Sequence, residues 1–268
     1  MTNIVKVLVL WFFAFPVFAE TYYVAPPPLG KDSNDCRAPS RPCGSLQRAV
    51  DLIKSVGLIN IAHGTYRDKG VNVIYYKVVT FIGDCEGANN QKVNLVLKGN
   101  DVAFRAQDYA IIGVNCLSIS TRGEGSRAFS ARQFAIIDYK KVRLGEMPLG
   151  VHVEATEKSK INCLGGVEIM GGAVYHAAAT QQSQINLNCD VVIAKPVKFD
   201  AFAWVTIQSL IEAGSAVIGG AGASTSTGFQ FINDSSQIIL PPADKVWPGI
   251  GSVVQFGGIV KGRVLTAK

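Results

Sequence analysis

Apolar positions through the middle of this chain recur about every 24 residues, a period that neither an amphipathic helix nor a simple alternating hairpin produces. Residues 152–162 read HVEATEKSKIN and residues 176–186 read HAAATQQSQIN, an offset of 24. Residues 103–112 (AFRAQDYAII) and 128–137 (AFSARQFAII) repeat at an offset of 25. Three apolar columns follow from these repeats. The first is Phe104, Phe129, Val153, Ala177 and Phe202. The second is Ile112, Ile137, Ile161, Ile185, Ile207 and Ile238. The third is Ile119, Leu144, Ile169, Ile193 and Val217. One step, Ile207 to Ile238, is longer than the rest and holds GGAGASTSTG, which reads as a flexible inserted loop.

Three short strands per repeat, parted by Gly, Asn and Asp turns, predict an all-β parallel β-helix with one rung per repeat. A single rung cannot bury its inner face, so stacked rungs build one continuous core. Parallel strands about 4.8 Å apart superpose equivalent residues, which is what makes columns. Antiparallel strands in a sandwich would not require one residue type to return at this period, and a helical solenoid would show i, i+3, i+4 spacing. The open first rung needs a cover. Ser45 is placed to cap a helix over residues 46–56, with Leu46, Ala49, Val50 and Ile53 on one face and Gly57 as its stop. The Gly- and Pro-rich end is expected to close the other side. The layout is therefore a signal peptide at 1–19, an N-terminal cap with a disulfide loop and amphipathic helix at 20–57, and a β-helix with a C-terminal cap at 58–268.

The signal-peptide reading rests on Lys6, the uncharged run VLVLWFFAFPVF at 7–18, and the small residues around Ala19. Twelve apolar residues fall short of the roughly 20 that span a bilayer. A buried core strand is the alternative reading of the same run. No cysteine follows the cut, and no later segment is long and apolar enough to span, so a secreted chain without a membrane span is expected. Export permits disulfides. Cys36 and Cys43 enclose six residues that include Pro39 and Pro42, a tight loop that predicts a bridge worth roughly 2–3 kcal/mol. Cys85, Cys116, Cys163 and Cys189 allow three pairings that the sequence leaves open. With no C-x-x-C and three histidines, no zinc site is expected.

Composition changes this picture little. The chain of 268 residues is 48% hydrophobic and 17% charged, which excludes intrinsic disorder. Its net charge of +6 favours a polyanionic partner mildly, and no run of like charge marks a nucleic-acid site.

The opening carries a resemblance. The stretches TYYVA at 21–25, GKDSNDC at 30–36, PCGSLQRAV at 42–50 and INIAHGTY at 59–66 look like the start of secreted right-handed β-helix proteins of the pectin-lyase-like superfamily. VTFIG at 79–83 fits the next rung, and RQFAIIDY at 132–139 is similar to bacterial exported and phage-tail-like β-helices. The resemblance implies a right-handed coil. It does not imply an activity, because this fold hosts lyases, hydrolases, adhesins and tailspikes.

Candidate chemistry is sparse. Carboxylates do not pair on neighbouring rungs, as Ca2+-dependent lyases and glycosidases need, so no cofactor is expected and Ca2+ would enter only in a lyase. If the phenylalanine column points inward, its neighbours point outward. Ala103, Ala128, His152 and His176 would then form one outward column, and Arg105, Ser130, Glu154 and Ala178 the next. His152, Glu154 and His176 are the candidate acid–base group, with a solvated histidine ladder as the bland alternative. Arg105, Thr156, Thr180, Asn162 and Asn186 are the candidate glycan face. Tyr75, Tyr76, Tyr109, Phe134 and Tyr139 form either a row that stacks on sugar rings or part of the core. The expected partner is a polysaccharide or cell-surface glycan, an acidic one being favoured by the charge, bound by a monomer or homotrimer. The rivals are a polysaccharide lyase or glycoside hydrolase, and a structural, adhesive or phage-tail-like module.

Overall fold

The computed structural model describes residues 19–239 apart from 68, 86–90, 99, 122 and 224, together with the backbone of strands Val254–Phe256 and Ile259–Lys261. The segment read as a signal peptide lies outside the described residues except Ala19, and so does most of the segment read as a C-terminal cap. Strands coil into a parallel solenoid of about 7 turns. Each turn contributes strands to three faces. The first face runs Glu20–Val24, Val56–Ile61, Val78–Ile82, the first half of Ile111–Thr121 and the first half of Ile136–Leu144. It continues through Lys160–Cys163, Gln184–Asn186, Leu210–Glu212 and Gln237–Ile239. The second face includes Val93–Leu97, the second halves of the two long strands, Val167–Ile169 and Asp190–Ile193. The third runs Gly70–Val73, Val102–Ala106, Arg127–Ala131, Met147–Ala155, Ala173–Ala179, Lys198–Thr206 and Thr227–Asp234.

The isoleucine column is in register as its spacing predicts. Ile112 pairs with Ile137, Ile137 with Ile161, and Ile161 with Ile185, and all four are buried. The next member is Ile211, which pairs with both Ile185 and Ile238. Ile207 lies instead in an exposed turn with φ of 52°. Two other columns need the same correction near their ends. Ala203, not Phe202, continues from Ala177, and Val217 pairs with Asp190 rather than following Ile193. The GGAGASTSTG segment is not a free insertion. Ser226 is buried, donates to the Gly222 carbonyl and accepts from the Val197 amide.

The turn from third face to first is built from two consecutive residues at positive φ. The pairs are Tyr75–Tyr76, Asp108–Tyr109, Gln133–Phe134, Glu157–Lys158, Gln181–Gln182 and Ile207–Gln208. None contains glycine, so each stores about 1–2 kcal/mol per residue in left-handed backbone. The turns offset this by bonding to one another: Tyr76, Tyr109, Phe134, Lys158, Gln182 and Gln208 each donate an amide to a carbonyl of the next turn. Just beyond, Ser159, Ser183, Ser209 and Ser236 form a buried ladder in which each amide donates to the following hydroxyl at 3.1 Å. The serines shared by the two repeats are therefore interior structural links.

At the N-terminal end, the helix spans Leu46–Leu52 and stops at Ile53, shorter than the spacing predicts. Gly57 is not its stop. It is the second residue of the next strand, and a Cβ there would collide with the Ile53 side chain, so the glycine gives room for that isoleucine. Ser45 caps the helix by accepting from the Arg48 amide, and Asp32 accepts from Gly44, Ser45 and the Ser45 hydroxyl. Gln47 accepts from the Asn72 amide at 2.7 Å and donates to the Asn72 carbonyl at 3.3 Å. One side-chain amide thus occupies the place of a missing strand at the edge of the third face. Cys36 pairs with Cys43 as predicted, and the open pairings resolve as Cys85–Cys116 and Cys163–Cys189.

Candidate functional site

His152 and His176 are fully buried, which corrects the expectation that they point outward. The reason is a bend in the third face. Val102, Arg127 and Val151 are in register, and so are Phe104, Phe129 and Val153, while Ala103, Ala128 and His152 between them drop out of the ladder. The same happens at His176 and Phe202. Strand alternation fails where the chain turns this corner, and two consecutive side chains enter the core. Glu154 stays on the outer surface, so the histidines and Glu154 are on opposite sides of the strand and make no acid–base group.

The two imidazoles meet at Nδ1–Nδ1, 3.2 Å apart, and His152 Nε2 lies 3.0 Å from the Gly145 carbonyl. A carbonyl only accepts, so the bonds assign the proton of His152 to Nε2 and leave its Nδ1 to accept from His176 Nδ1–H. His176 Nε2 is then a bare acceptor, buried with no partner among the described residues. Its ring stacks on Phe202 at 4.6 Å and is near Phe199. Burial pushes His152 down to about 4, against the small opposing effect of the Gly145 bond, and pushes His176 well below the usual histidine value. Both stay neutral near pH 7.

The residues expected to share a glycan face do not form one surface. Asn162 and Asn186 are in register on the first face; Asn162 donates to Asp138, and Asn186 accepts from the Asn188 amide. Thr156 is buried and donates to Gln181, while Thr180 is half-buried beside the same corner. Arg105 alone lies on the third face. The aromatic row also divides. Tyr139 is core, and Tyr76, Tyr109 and Phe134 are exposed rings stacked at 5.1 and 5.0 Å with nearly parallel planes. Lys158 covers the far face of Phe134. Stacking on one another occupies the inner ring faces that a sugar would need, so this row is a self-satisfied corner.

What the structure does bring together lies on the outside of the third face. Arg105, Ser130, Glu154 and Ala178 are in register there, as their spacing predicts, and Trp204 is the next member of the column. Glu154 Oε2 accepts from the Ser130 hydroxyl at 3.2 Å and lies 2.6 Å from Arg127 Nε and 3.6 Å from Arg132 Nη2. Arg105 is held below the usual arginine value by burial first and then by Arg132 and Arg127, with Glu154 opposing. One rung past Glu154, Tyr175 stacks on Trp204 of the following rung at 5.1 Å. Tyr175 is pushed up, by burial and then by Asp200. Asp200 belongs to a neighbouring groove of about 400 Å3 that Glu146, Leu149, Lys195 and Lys198 also line. Arg127, Arg132, Tyr175 and Trp204 were missed because they sit a few residues off the repeat or one rung beyond it. The continuation of the Arg105 column by one more period would have reached Trp204.

Among the described residues no group of three or more His, Cys, Asp or Glu is placed to hold a metal, and no helix is long and apolar enough to cross a membrane. No family model, curated protein or solved structure matches the chain.

Proposed function

We propose that this is an exported solenoid that binds a polysaccharide or cell-surface glycan along its third face. The observation that carries the reading is one continuous outer column. It runs from the Arg105, Arg127, Arg132 and Glu154 cluster, across the small Ala178, to the stacked Tyr175 and Trp204. Strands about 4.8 Å apart make such a column a linear track, and a repeating polymer suits a repeating track. Guanidinium and carboxylate groups bond to hydroxyls, and half-buried Tyr and Trp are the side chains that most often dominate binding energy. The apolar run at 7–18 and the three disulfides support export. A right-handed coil is the hand that parallel connections adopt almost without exception. Kinship with pectin-lyase-like proteins rests on the motifs between residues 21 and 83.

A printed array of neutral and acidic polysaccharides, probed with the mature protein and with a Tyr175→Ala/Trp204→Ala variant, tests the reading. The wild type is expected to bind at least one polysaccharide class, and the variant to lose about 30-fold or more, the loss of a pair of hot-spot residues. No binding anywhere on the array, or equal binding by the variant, contradicts it. Release of sugar from a bound polymer would move the protein to the enzymatic rival.

A further inference from the structure

The arginine cluster on the third face holds more positive charge than its own structure uses. Among the described residues, Arg127 and Arg132 reach one carboxylate, Glu154, and Arg105 lies in register with it two rungs before, so these four groups together carry a net charge of +2. One arginine would satisfy Glu154 in a purely structural ion pair, and its Oε2 already accepts from Ser130 as well. Arg105 makes no ion pair among the described residues. Among the described residues the Nε atoms of Arg105 and Arg132 are buried without a hydrogen-bond partner, and Arg127 Nε meets only Glu154 as an ion pair. A buried donor left unmade costs about 1–3 kcal/mol, more when charged. Like charges that repel one another and orphan donors on the same patch are what an anion site looks like before its anion arrives. Each guanidinium has five N–H donors; Glu154 meets Arg127 at Nε and Arg132 at Nη2, Arg127 Nη1 donates to the Gly125 carbonyl, and the two side chains remain 28% and 37% exposed.

We propose that Arg105, Arg127 and Arg132 form an oxyanion station that takes an acidic group, a carboxylate or a sulfate ester, of the bound polysaccharide. Glu154 holds Arg127 and Arg132 in place, and Arg105 is the guanidinium left free for the ligand. The planar fork of arginine matches either oxyanion in a two-bond contact. The inference rests on the glycan reading above and narrows it to anionic polymers. It also gives the track a direction, with the charged station at the N-terminal end and the Tyr175–Trp204 pair on the two rungs that follow Glu154.

The test measures affinity for dextran sulfate, polygalacturonate and neutral dextran at several NaCl concentrations, with wild type, Arg105→Gln and Arg105→Lys. Arg105→Gln breaks no ion pair, so its melting temperature is expected to stay near that of wild type. Its affinity for the charged polymers is expected to fall about tenfold, and the slope of log K against log salt to become shallower by about 1, the loss of one charge contact. Arg105→Lys is expected to restore the slope and only part of the affinity, because a point charge replaces the fork. A response confined to dextran sulfate identifies a sulfate ester, and one confined to polygalacturonate identifies a uronate. Neutral dextran bound as tightly as the charged polymers, or charged polymers bound equally by Arg105→Gln, overturns the station while leaving the glycan reading standing. Failure of both charged polymers to bind overturns the station, while the glycan reading is decided separately by the array.

Discussion

Acidification from pH 7 to pH 4 is expected to destabilise the solenoid by about 3 kcal/mol through His152 alone, with His176 adding to the loss. The folded protein holds His152 at about 4, while an unfolded chain returns it to its ordinary 6.5. A histidine depressed by folding binds fewer protons in the native state, so stability rises with pH. The contribution is complete above pH 6.5 and is lost as the pH falls from there toward 4. No acceptor waits for the added proton. His176 Nε2 has no partner among the described residues, and both Nδ1 atoms are already committed to one hydrogen between them. Urea unfolding at a series of pH values measures the slope. A His152→Leu/His176→Phe variant, apolar like the Phe199 and Phe202 rings around it, is expected to remove most of the loss between pH 6.5 and 4. An unchanged slope in that variant would show that other groups carry the acid sensitivity.

Phe129→Ala is expected to cost about 3–5 kcal/mol, among the largest single effects in the chain. Phe129 is fully buried and lies between Phe104, 5.9 Å away in the rung before, and Tyr139 at 4.8 Å. Each rung rests only on its neighbours, so a cavity here weakens the interface on both sides. The midpoint of urea unfolding reports the change. A shift worth less than about 1 kcal/mol would mean that neighbouring side chains collapse into the space, and that the interior is less tightly packed than the columns imply.

The parallel solenoid was legible because its information repeats. Ile112, Ile137, Ile161 and Ile185 each pair with the next, and an error in one rung is corrected by those beside it. Legibility failed where the repeat changes length or the chain bends. Ile207 shares its residue type with the column but sits four residues before Ile211, because the intervening turn precedes the strand. Alternation points His152 and His176 outward, and alternation stops at the corner that their own position forms. The pairing of Cys163 with Cys189, which the sequence leaves open, joins neighbouring rungs, 26 residues apart. The candidate site divided similarly. Arg105, Ser130 and Glu154 lie on the repeat and are in register on the outer side of the third face, with Ser130 itself fully buried, whereas Arg127 and Arg132 reach Glu154 from positions where the repeat keeps no residue type.

Hydrogen-exchange mass spectrometry of the protein with and without dextran sulfate, repeated with polygalacturonate, tests the central claim most directly. Binding along the third face is expected to slow exchange in residues 102–106, 127–131, 151–155, 173–179 and 198–206. The first-face strands at 160–163 and 184–186, which carry Asn162 and Asn186, are expected to keep their free-state rates. Protection concentrated on that first face, or no change with either polymer, would contradict the account.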